Sequence, residues 1–273
     1  DASALNANAG LSITKGVGSG ETVTFQTISS NGIASITLSG ASGTISASTI
    51  QAGGFTLDTS ALLEDTSTNF INTLSVSGQT TMNLGVGGLN VSSITVQSAG
   101  ITLTKGAGSG DVTAQILSVS SNNANSLTTL VGAGSGSFVI SAITTTSGFL
   151  FNGEAMSVVS ADYFSAETIT NTSADVTFNY GTGAAAFFDV SAIDSKSGFS
   201  ITGTNLSTGN ITITDLSAGG NITIDLGGMS GSAAISTIDS EGTFTFNAGG
   251  AANLAFNAEH LSASAATITL GAV

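Results

Sequence analysis

The sequence predicts an all-β protein, a single β-solenoid (parallel β-helix) of about twelve coils of roughly 22 residues with two main strands in each coil. Three observations predict it. A two-strand pattern of apolar residues recurs along the chain, glycine-rich turns separate the strands, and none of the 273 residues is proline. Proline cannot donate a hydrogen bond to a neighbouring strand, so its absence suits coils with neighbours on both sides. Residues 1–273 are therefore predicted to form one continuous solenoid.

One strand of each coil carries apolar residues at relative positions one, three and six. Alternate residues lie on the same face of a strand, and the step of three indicates a bend. The copies are Val23, Phe25 and Ile28; Ile45, Ala47 and Ile50; Leu89, Val91 and Ile94; Ala114, Ile116 and Val119; Phe138, Ile140 and Ile143; Phe188, Val190 and Ile193; Ile211, Ile213 and Leu216; and Ala233, Ile235 and Ile238.

The other strand is shorter and has two apolar residues at alternate positions, usually with Thr or Ser between them. Examples are Leu11 and Ile13, Ile101 and Leu103, Val176 and Phe178, and Ile222 and Ile224. Stacking buries the apolar residues of all coils in one interior, because a single coil cannot bury its own apolar face. At about 4.8 Å per coil, the stack is a rod about 58 Å long.

The repeat is interrupted at residues 58–70, where an irregular insertion is predicted. This segment contains three carboxylates, Asp58, Glu64 and Asp65. Clustered oxygen ligands are sufficient to bind Ca²⁺, so these residues are the candidate calcium site. No other cofactor is predicted.

The charge balance excludes one class of partner. The chain has 17 acidic residues and three lysines, with no arginine, for a net charge of -14. Nucleic-acid binding needs clustered cations, which are missing. No apolar run approaches the roughly 20 residues of a spanning helix, so no membrane span is predicted. Cysteine is absent, which removes disulfides and thiolate metal sites.

Two glycine-rich segments resemble each other: residues 15–20 read Lys-Gly-Val-Gly-Ser-Gly and residues 105–110 read Lys-Gly-Ala-Gly-Ser-Gly. A phosphate-binding loop has its Lys after the glycines and opens a helix. Here the Lys precedes the glycines and a strand follows. Both segments are therefore predicted to be turns of the solenoid.

Asp194 and Asp239 align at one coil position, two coils and about 9.6 Å apart. Inverting glycosidases use such a separation. Polysaccharide-active β-helices also need basic and aromatic groove residues, and this chain has no Arg, no Trp and only two Tyr. The acids are therefore interpreted as solvated surface residues and no catalytic residue is predicted, with a polysaccharide-active enzyme as a minor alternative.

Thr202, Thr212, Thr223 and Thr245 align as a row of outward threonines, a pattern known from ice-binding faces. Such a face needs a flat, regular Thr array on one side of every coil. The outward residue in this chain varies among Ser, Thr and Asn, which argues against ice binding.

The two ends of the sequence predict self-assembly. Other solenoids cover their open strand edges with a polar cap, and no cap is recognisable here. The last segment reads as the first half of a coil, and the first segment reads as the second half. Head-to-tail stacking of subunits is therefore expected; a competing interpretation is that the chain is a stretch of a longer solenoid. The predicted assembly residues are Ile268, Leu270, Leu5, Leu11 and Ile13.

The repeats are rich in Ser, Thr, Gly, Ala and Asn; residues 209–214 read Gly-Asn-Ile-Thr-Ile-Thr and residues 220–225 read Gly-Asn-Ile-Thr-Ile-Asp. In this style the sequence resembles bacterial secreted surface proteins, including surface-layer proteins and filamentous-haemagglutinin-like β-solenoids. The resemblance implies a secreted, extracellular protein at the cell surface with a role in coats, filaments or adhesion. It identifies no functional residues.

Two functions are expected from these observations. The first is a structural subunit of an extracellular filament or surface layer, whose partners are other copies of itself. The alternative is an adhesin stalk or binding module that contacts a cell-surface glycan or another cell. Its candidate sites are the insertion and the region of Tyr163 and Phe164, where the repeat loses its usual turn.

Overall fold

The computed structural model describes residues 2–18, 20–40, 42–63, 68–121, 127–134, 136–156, 163–171, 175–180, 185–203, 208–227, 230–248 and 254–270. All regular structure in these ranges is β-strand. None of these ranges contains a helix of sufficient length and apolar character to cross a membrane. The all-β prediction is therefore confirmed.

The strands form two parallel ladders, which we name the bent ladder and the straight ladder. Two strands, β3 (Glu21–Gly40) and β4 (Gly43–Leu62), run through both ladders. The bent ladder also contains β1 (Ala2–Ala7), β5 (Thr68–Val76), β7 (Gly88–Val96), β9 (Val112–Val119), β11 (Phe138–Thr145), β13 (Tyr163–Asn171), β15 (Ala185–Ser195), β17 (Thr208–Ala218), β19 (Ser230–Ser240) and β21 (Leu254–Ser262). The straight ladder also contains β2 (Leu11–Val17), β6 (Thr80–Asn83), β8 (Ile101–Thr104), β10 (Thr128–Gly134), β12 (Phe149–Met156), β14 (Val176–Tyr180), β16 (Phe199–Gly203), β18 (Ile222–Asp225), β20 (Thr243–Asn247) and β22 (Ala265–Thr269).

Each coil consists of one bent-ladder strand and the straight-ladder strand that follows it. Within the described residues, each ladder therefore has twelve strand segments, and we number the coils from 1 at β1 and β2 to 12 at β21 and β22. Every strand pairs in parallel with its counterparts in the adjacent coils, as β17 does with β15 and β19. The β-solenoid predicted from the repeat is confirmed.

The bend of the bent ladder comes from one residue that does not join the pairing. Ile213 pairs with Ile235 and Asp215 pairs with Thr237, so that Thr214 is left between them. Thr214 and Asp215 are both exposed, although they are consecutive in the strand. Two successive outward residues shift the alternation by one, which is why the inward residues follow the one, three, six pattern.

The inward residues form a single apolar core along the rod. Its widest aromatic section lies in coils 7 to 9 around Phe178, which is fully buried. The Phe178 ring meets the Phe188 ring edge to face, with centroids 4.7 Å apart, and lies 5.4 Å from the Phe149 ring. Such edge-to-face contacts add to the burial energy of the rings.

The pairing corrects one copy of the predicted repeat. Ile116 was assigned inward, but it pairs with Ser93 and is 48% exposed. Positions one, three and six of this strand are Val112, Ala114 and Leu117, which pair with Leu89, Val91 and Ile94 and are buried. Leu117 thus takes the inward place next to Ile116. Both residues are apolar, so the spacing alone fits either alignment, and only the hydrogen-bonded register separates them.

The segment predicted as an irregular insertion is largely part of the ladders. Asp58 belongs to β4, which continues to Leu62, and Asn69 and Phe70 belong to β5. Buried Asn69 joins the neighbouring coils through its side chain: its Oδ1 accepts from Ile45 N at 3.1 Å and its Nδ2 donates to Gly88 O at 3.1 Å. Only Leu63, among the described residues of this segment, lies outside a strand.

Candidate functional site

The C-terminal end of the rod presents an incompletely covered coil. Within the described residues, β21 pairs with β19 and β22 pairs with β20, and the other edge of each strand faces away from the rod. Every residue of β22 is exposed. The side chain of Ile268 is 45% exposed and that of Leu270 is 55% exposed. This end therefore combines unpaired backbone groups with apolar side chains.

The N-terminal end presents the matching arrangement. Strands β1 and β2 both pair with β3, and their opposite edges have no strand among the described residues. Leu5, Leu11 and Ile13 pack against the core but are only partly buried. All five residues predicted for assembly thus lie in the two terminal coils, at or next to an open edge.

The register carries the same interior columns from one end of the rod to the other. Following the paired residues from coil to coil, the column that starts at Leu5 ends at Leu261. The column that starts at Ile13 ends at Ile268. The two end faces are therefore complementary in position: apolar residues occupy corresponding places on both.

The two Lys-Gly-rich turns differ according to their place in the rod. In coil 1, Lys15 Nζ donates to Glu21 Oε2 at 3.0 Å, and both side chains are about half exposed. The hydrogen bond from Lys15, together with one from the Gly18 backbone, lowers the pKa of Glu21. In coil 5, Lys105 is 1% exposed, and its Nζ donates to the carbonyl oxygens of Gly108 at 2.8 Å and Ala133 at 2.7 Å.

The acidic residue that follows each of these segments also has different hydrogen-bond partners in the two copies. Asp111 stands where Glu21 stands in the first copy. Its Oδ1 accepts hydrogen bonds from Ser137 N at 2.8 Å and Ser137 Oγ at 2.7 Å, in the next coil. Within the rod the turn therefore joins adjacent coils, whereas in coil 1 its Lys and Glu bind each other. The prediction that these segments are turns is right for residues 105–110, which lie between strands. It is wrong for Lys15, Gly16 and Val17, which belong to β2 and pair with β3.

No protein-family model, no curated protein and no solved structure matches the chain. The suspected kinship with secreted surface solenoids therefore stays a resemblance of repeat style.

The calcium candidates are described only in part. Asp58 Oδ1 accepts from Ser60 N at 3.0 Å and Ser60 Oγ at 2.6 Å, within its own strand. Glu64 and Asp65 lie outside the described residues. In the part of the chain that is described, no group of three or more His, Cys, Asp or Glu side chains is placed to hold a metal ion. Calcium binding stays a prediction.

Of the two surface alignments predicted from the sequence, the structure contains the aspartate pair and not the threonine row. Asp194 and Asp239 share a column, separated by Ser217, as the sequence predicts. The threonine row does not form a row. Thr223 pairs with Thr245, but Thr202 pairs with Asp225 in the adjacent column. Thr212 lies in the bent ladder, where it pairs with Asp189.

Tyr163 and Phe164 open strand β13. Tyr163 pairs with Phe187, and Phe164 holds the register position between Phe138 and Phe188. Phe138 and Phe188 are both buried. The region where the sequence repeat weakens therefore still continues the bent ladder.

An open groove of about 400 Å³ lies along the corner before the straight ladder, and the sequence pattern gave no sign of it. Asp175 Oδ1 accepts from Ser197 Oγ and from Gly198 N, both at 2.7 Å. These two hydrogen bonds lower the pKa of Asp175, against a smaller opposing effect of burial. Two coils beyond Asp175, Asn221 Oδ1 accepts from Thr243 N at 2.9 Å. Apart from Phe199, polar residues and glycines line the groove. The lining residues are Asp175, Ser197, Gly198, Phe199, Ser200, Gly220, Asn221 and Thr223.

Proposed function

We propose that this chain is a structural subunit of an extracellular polymer, a filament or a surface layer, that assembles head to tail through the ends of its solenoid. One observation carries the proposal: the interior apolar columns reach both end faces, where they are exposed or partly buried. Leu261 and Ile268 end the columns that Leu5 and Ile13 begin. A second copy placed in register would continue each column without a change of side-chain type.

Two energetic terms favour this stacking. Covering a half-exposed Ile or Leu gains about 1 kcal/mol, because full burial of such a side chain is worth about 1.5–3 kcal/mol. The unpaired N–H and C=O groups of β22 and β2 would pair as they do between coils inside the rod. Since the head of one copy binds the tail of the next, the contact is heterologous and produces an open filament.

The surface of the rod sets the conditions for assembly. A net charge of -14 per chain makes copies repel each other. Salt screens such repulsion over about 8–10 Å at physiological ionic strength. Assembly is therefore expected to strengthen as salt is raised, and calcium bound to surface acids would act in the same direction. The extracellular location rests on the resemblance to secreted surface proteins and is tested by protease accessibility on intact cells.

Negative-stain microscopy of the purified chain tests the proposal, with and without calcium. Regular polymers support it, and monodisperse rods under all conditions contradict it. The sharpest variant is Ile268→Lys, which places a charge in the end-face column on a strand that is exposed throughout. Its matched control is Thr267→Lys on the same strand, in the column of Thr223 and Thr245 on the outer face. Assembly should be lost in the first variant and kept in the second.

A second candidate function is the binding of a glycan along the rod, as in an adhesin. The groove beside Asp175 favours it, because hydroxyl, amide and carboxylate groups line an open trough suited to sugar hydroxyls. Co-sedimentation with insoluble polysaccharides tests this function. Thr223→Ala, which removes a lining hydroxyl, should weaken binding, and Thr102→Ala, in the straight ladder of coil 5, should not.

A further inference from the structure

Three apolar side chains are exposed near the middle of the bent ladder. The exposed fractions are 49% for Phe70, 48% for Ile116 and 37% for Val139. We name these three residues the central apolar patch. They flank or line a shallow groove of about 250 Å³ that runs over coils 5 to 7 and whose other lining residues are Asn90, Val91, Ser92, Thr113, Ala114, Gln115 and Ser141. Neither end face is part of it.

The patch has an internal symmetry along one column. Phe70 pairs with Asn90, Asn90 with Thr113, and Thr113 with Val139. The column therefore reads apolar, polar, polar, apolar over coils 4 to 7. A two-fold axis through its midpoint, between Asn90 and Thr113, exchanges the places of Phe70 and Val139.

The charges of the bent ladder are distributed unevenly along the rod. Asp189, Asp194, Asp215 and Asp239 are all exposed and lie in coils 9 to 11. The corresponding outward positions of coils 2 and 3 hold Thr24, Ser29, Ser46 and Gln51, which are uncharged. Two rods that pack side by side in the same direction bring the acidic coils face to face, and like charges opposed in this way repel.

We propose that two copies of this chain pack side by side and antiparallel through the central apolar patch, with Phe70 of each copy against Val139 of the other. Rotation about the axis between Asn90 and Thr113 places coil 9 opposite coil 2 and coil 10 opposite coil 1. Asp189 and Asp194 of coil 9 then face the uncharged Thr24 and Ser29 of coil 2, and Asp239 of coil 11 lies beyond the partner's first coil. Phe70 and Val139 face each other. The contact is isologous and closes after two copies.

This pairing does not depend on head-to-tail stacking, since it leaves both end faces open. Combined with that stacking, it would join two filaments of opposite direction. Its test is carried out in the Ile268→Lys background, which disables the end face. Failure of the lateral contact and failure of the proposed function are then seen in separate experiments.

The chain has no cysteine, so single cysteines can be placed at will. Phe70→Cys and Val139→Cys proteins are prepared separately, mixed, and treated with a short bis-maleimide. In the antiparallel pair, unlike positions lie about 10 Å apart, the distance between packed sheets. Like positions are also displaced by three coils, which makes them about 17 Å apart. The mixture should therefore cross-link at least several-fold more than either protein alone.

The control is Thr102→Cys in the straight ladder, on another side of the rod. Two outcomes overturn the proposal. Cross-linking of Phe70→Cys to itself that is stronger than its cross-linking to Val139→Cys indicates parallel packing. Cross-linking no greater than that of Thr102→Cys indicates that the patch binds no second copy. Circular dichroism of each variant confirms that the fold is retained in either case.

Discussion

Lys105 holds the carbonyl oxygen of Ala133, in the next coil, at 2.7 Å from its Nζ atom. The same Nζ donates to Gly108 O in its own turn at 2.8 Å. A buried ammonium group is stable only when its donors are satisfied, and here backbone carbonyls satisfy them. A glycine near the next coil makes room for the side chain, because a Cβ at Gly136 would lie 2.5 Å from Lys105 Cε.

Replacement of this cation by an apolar side chain of similar length should destabilise the rod. Lys105→Met removes the donors to Gly108 and Ala133 and leaves their carbonyls buried, at a cost of about 1–3 kcal/mol in the free energy of unfolding. Lys15→Met is the matched control. Its ion pair with Glu21 is exposed, so the unfolding midpoint should stay close to that of the parent chain. Urea unfolding measures both; equal midpoints would show that Lys105 contributes nothing special.

The glycines that follow the two lysines should also differ in their tolerance of alanine, with the larger loss of stability in coil 5. A Cβ at Gly106 would overlap the backbone of Gly85 in the preceding coil, whereas a Cβ at Gly16 would be 3.9 Å from Ser39 O, an ordinary contact. Gly106→Ala should therefore cost about 1–3 kcal/mol from overpacking. Gly16→Ala should leave the unfolding midpoint of the monomer almost unchanged. Comparable losses in both variants would contradict the stacking described for coils 4 and 5.

Adjacent apolar residues in β9 provide a test of the register. Leu117 is buried and Ile116 is about half exposed. Leu117→Ala should cost about 2–5 kcal/mol, the usual range for a core leucine. Ile116→Ala should cost about 0.5 kcal/mol or less, as for most surface substitutions. Thermal unfolding of the two variants measures the difference, and the reverse order would restore the alignment that spacing alone predicts.

This pair shows where sequence reasoning succeeds and where it stops. Alternation and the step of three predict the two ladders, because these spacings follow from strand geometry and one bend per coil. They do not decide between Ile116 and Leu117, since both are apolar and the turns between coils vary in length. From Ile71 to Val91 the coils repeat after 20 residues, but from Ala114 to Ile140 they repeat after 26. Alignment across such turns needs the backbone pairing itself.

The candidate sites also fall into two groups: those that the sequence could predict and those that required the backbone pairing. The end faces could be predicted because they depend only on which residues come at the open edges of the ladders. The contacts of Lys105 and Asp175 could not, since each reaches a residue 22 to 28 positions away. Thr202 and Thr223 lie in different columns because the register of their strands is shifted by two residues, which keeps a side chain on the same face and moves it to the next column. In β9 the bend intervenes, and Ile116 is turned outward instead.

The Asp175 contact predicts a dependence of stability on pH. Hydrogen bonds from Ser197 Oγ and Gly198 N hold the pKa of Asp175 below its ordinary value of 3.8. A depressed folded-state pKa stabilises the fold above the unfolded value, and this contribution is lost as pH falls through the folded pKa. Asp175→Asn should therefore be less stable than the parent chain above pH 3.8. The difference in the free energy of unfolding between the two proteins should become smaller below that pH.

Unfolding by urea at several pH values on both sides of that range measures the gap. Ser197→Ala is a useful companion, because it removes the hydroxyl donor and leaves the carboxylate in place. Its pH dependence should lie between those of the parent and Asp175→Asn. A gap between parent and Asp175→Asn that is constant with pH would show that the two hydrogen bonds do not favour the charged form.

The strongest consequence for assembly concerns Gly16. Within the rod, the preceding coil comes so close to Gly106 that no Cβ fits there. In coil 1 the described residues leave that space open, and Gly16 has only Ser39 O near by, at 3.9 Å. If a second copy stacks with its backbone as close to Gly16 as Gly85 is to Gly106, Gly16→Ala should weaken polymerisation several-fold while the monomer unfolds as before. Thr14→Ala, at an exposed position of the same strand, should polymerise like the parent chain. Sedimentation of each variant over a range of protein concentrations measures the effect. A Gly16→Ala protein that polymerises normally would rule out such a close approach of a second copy to Gly16.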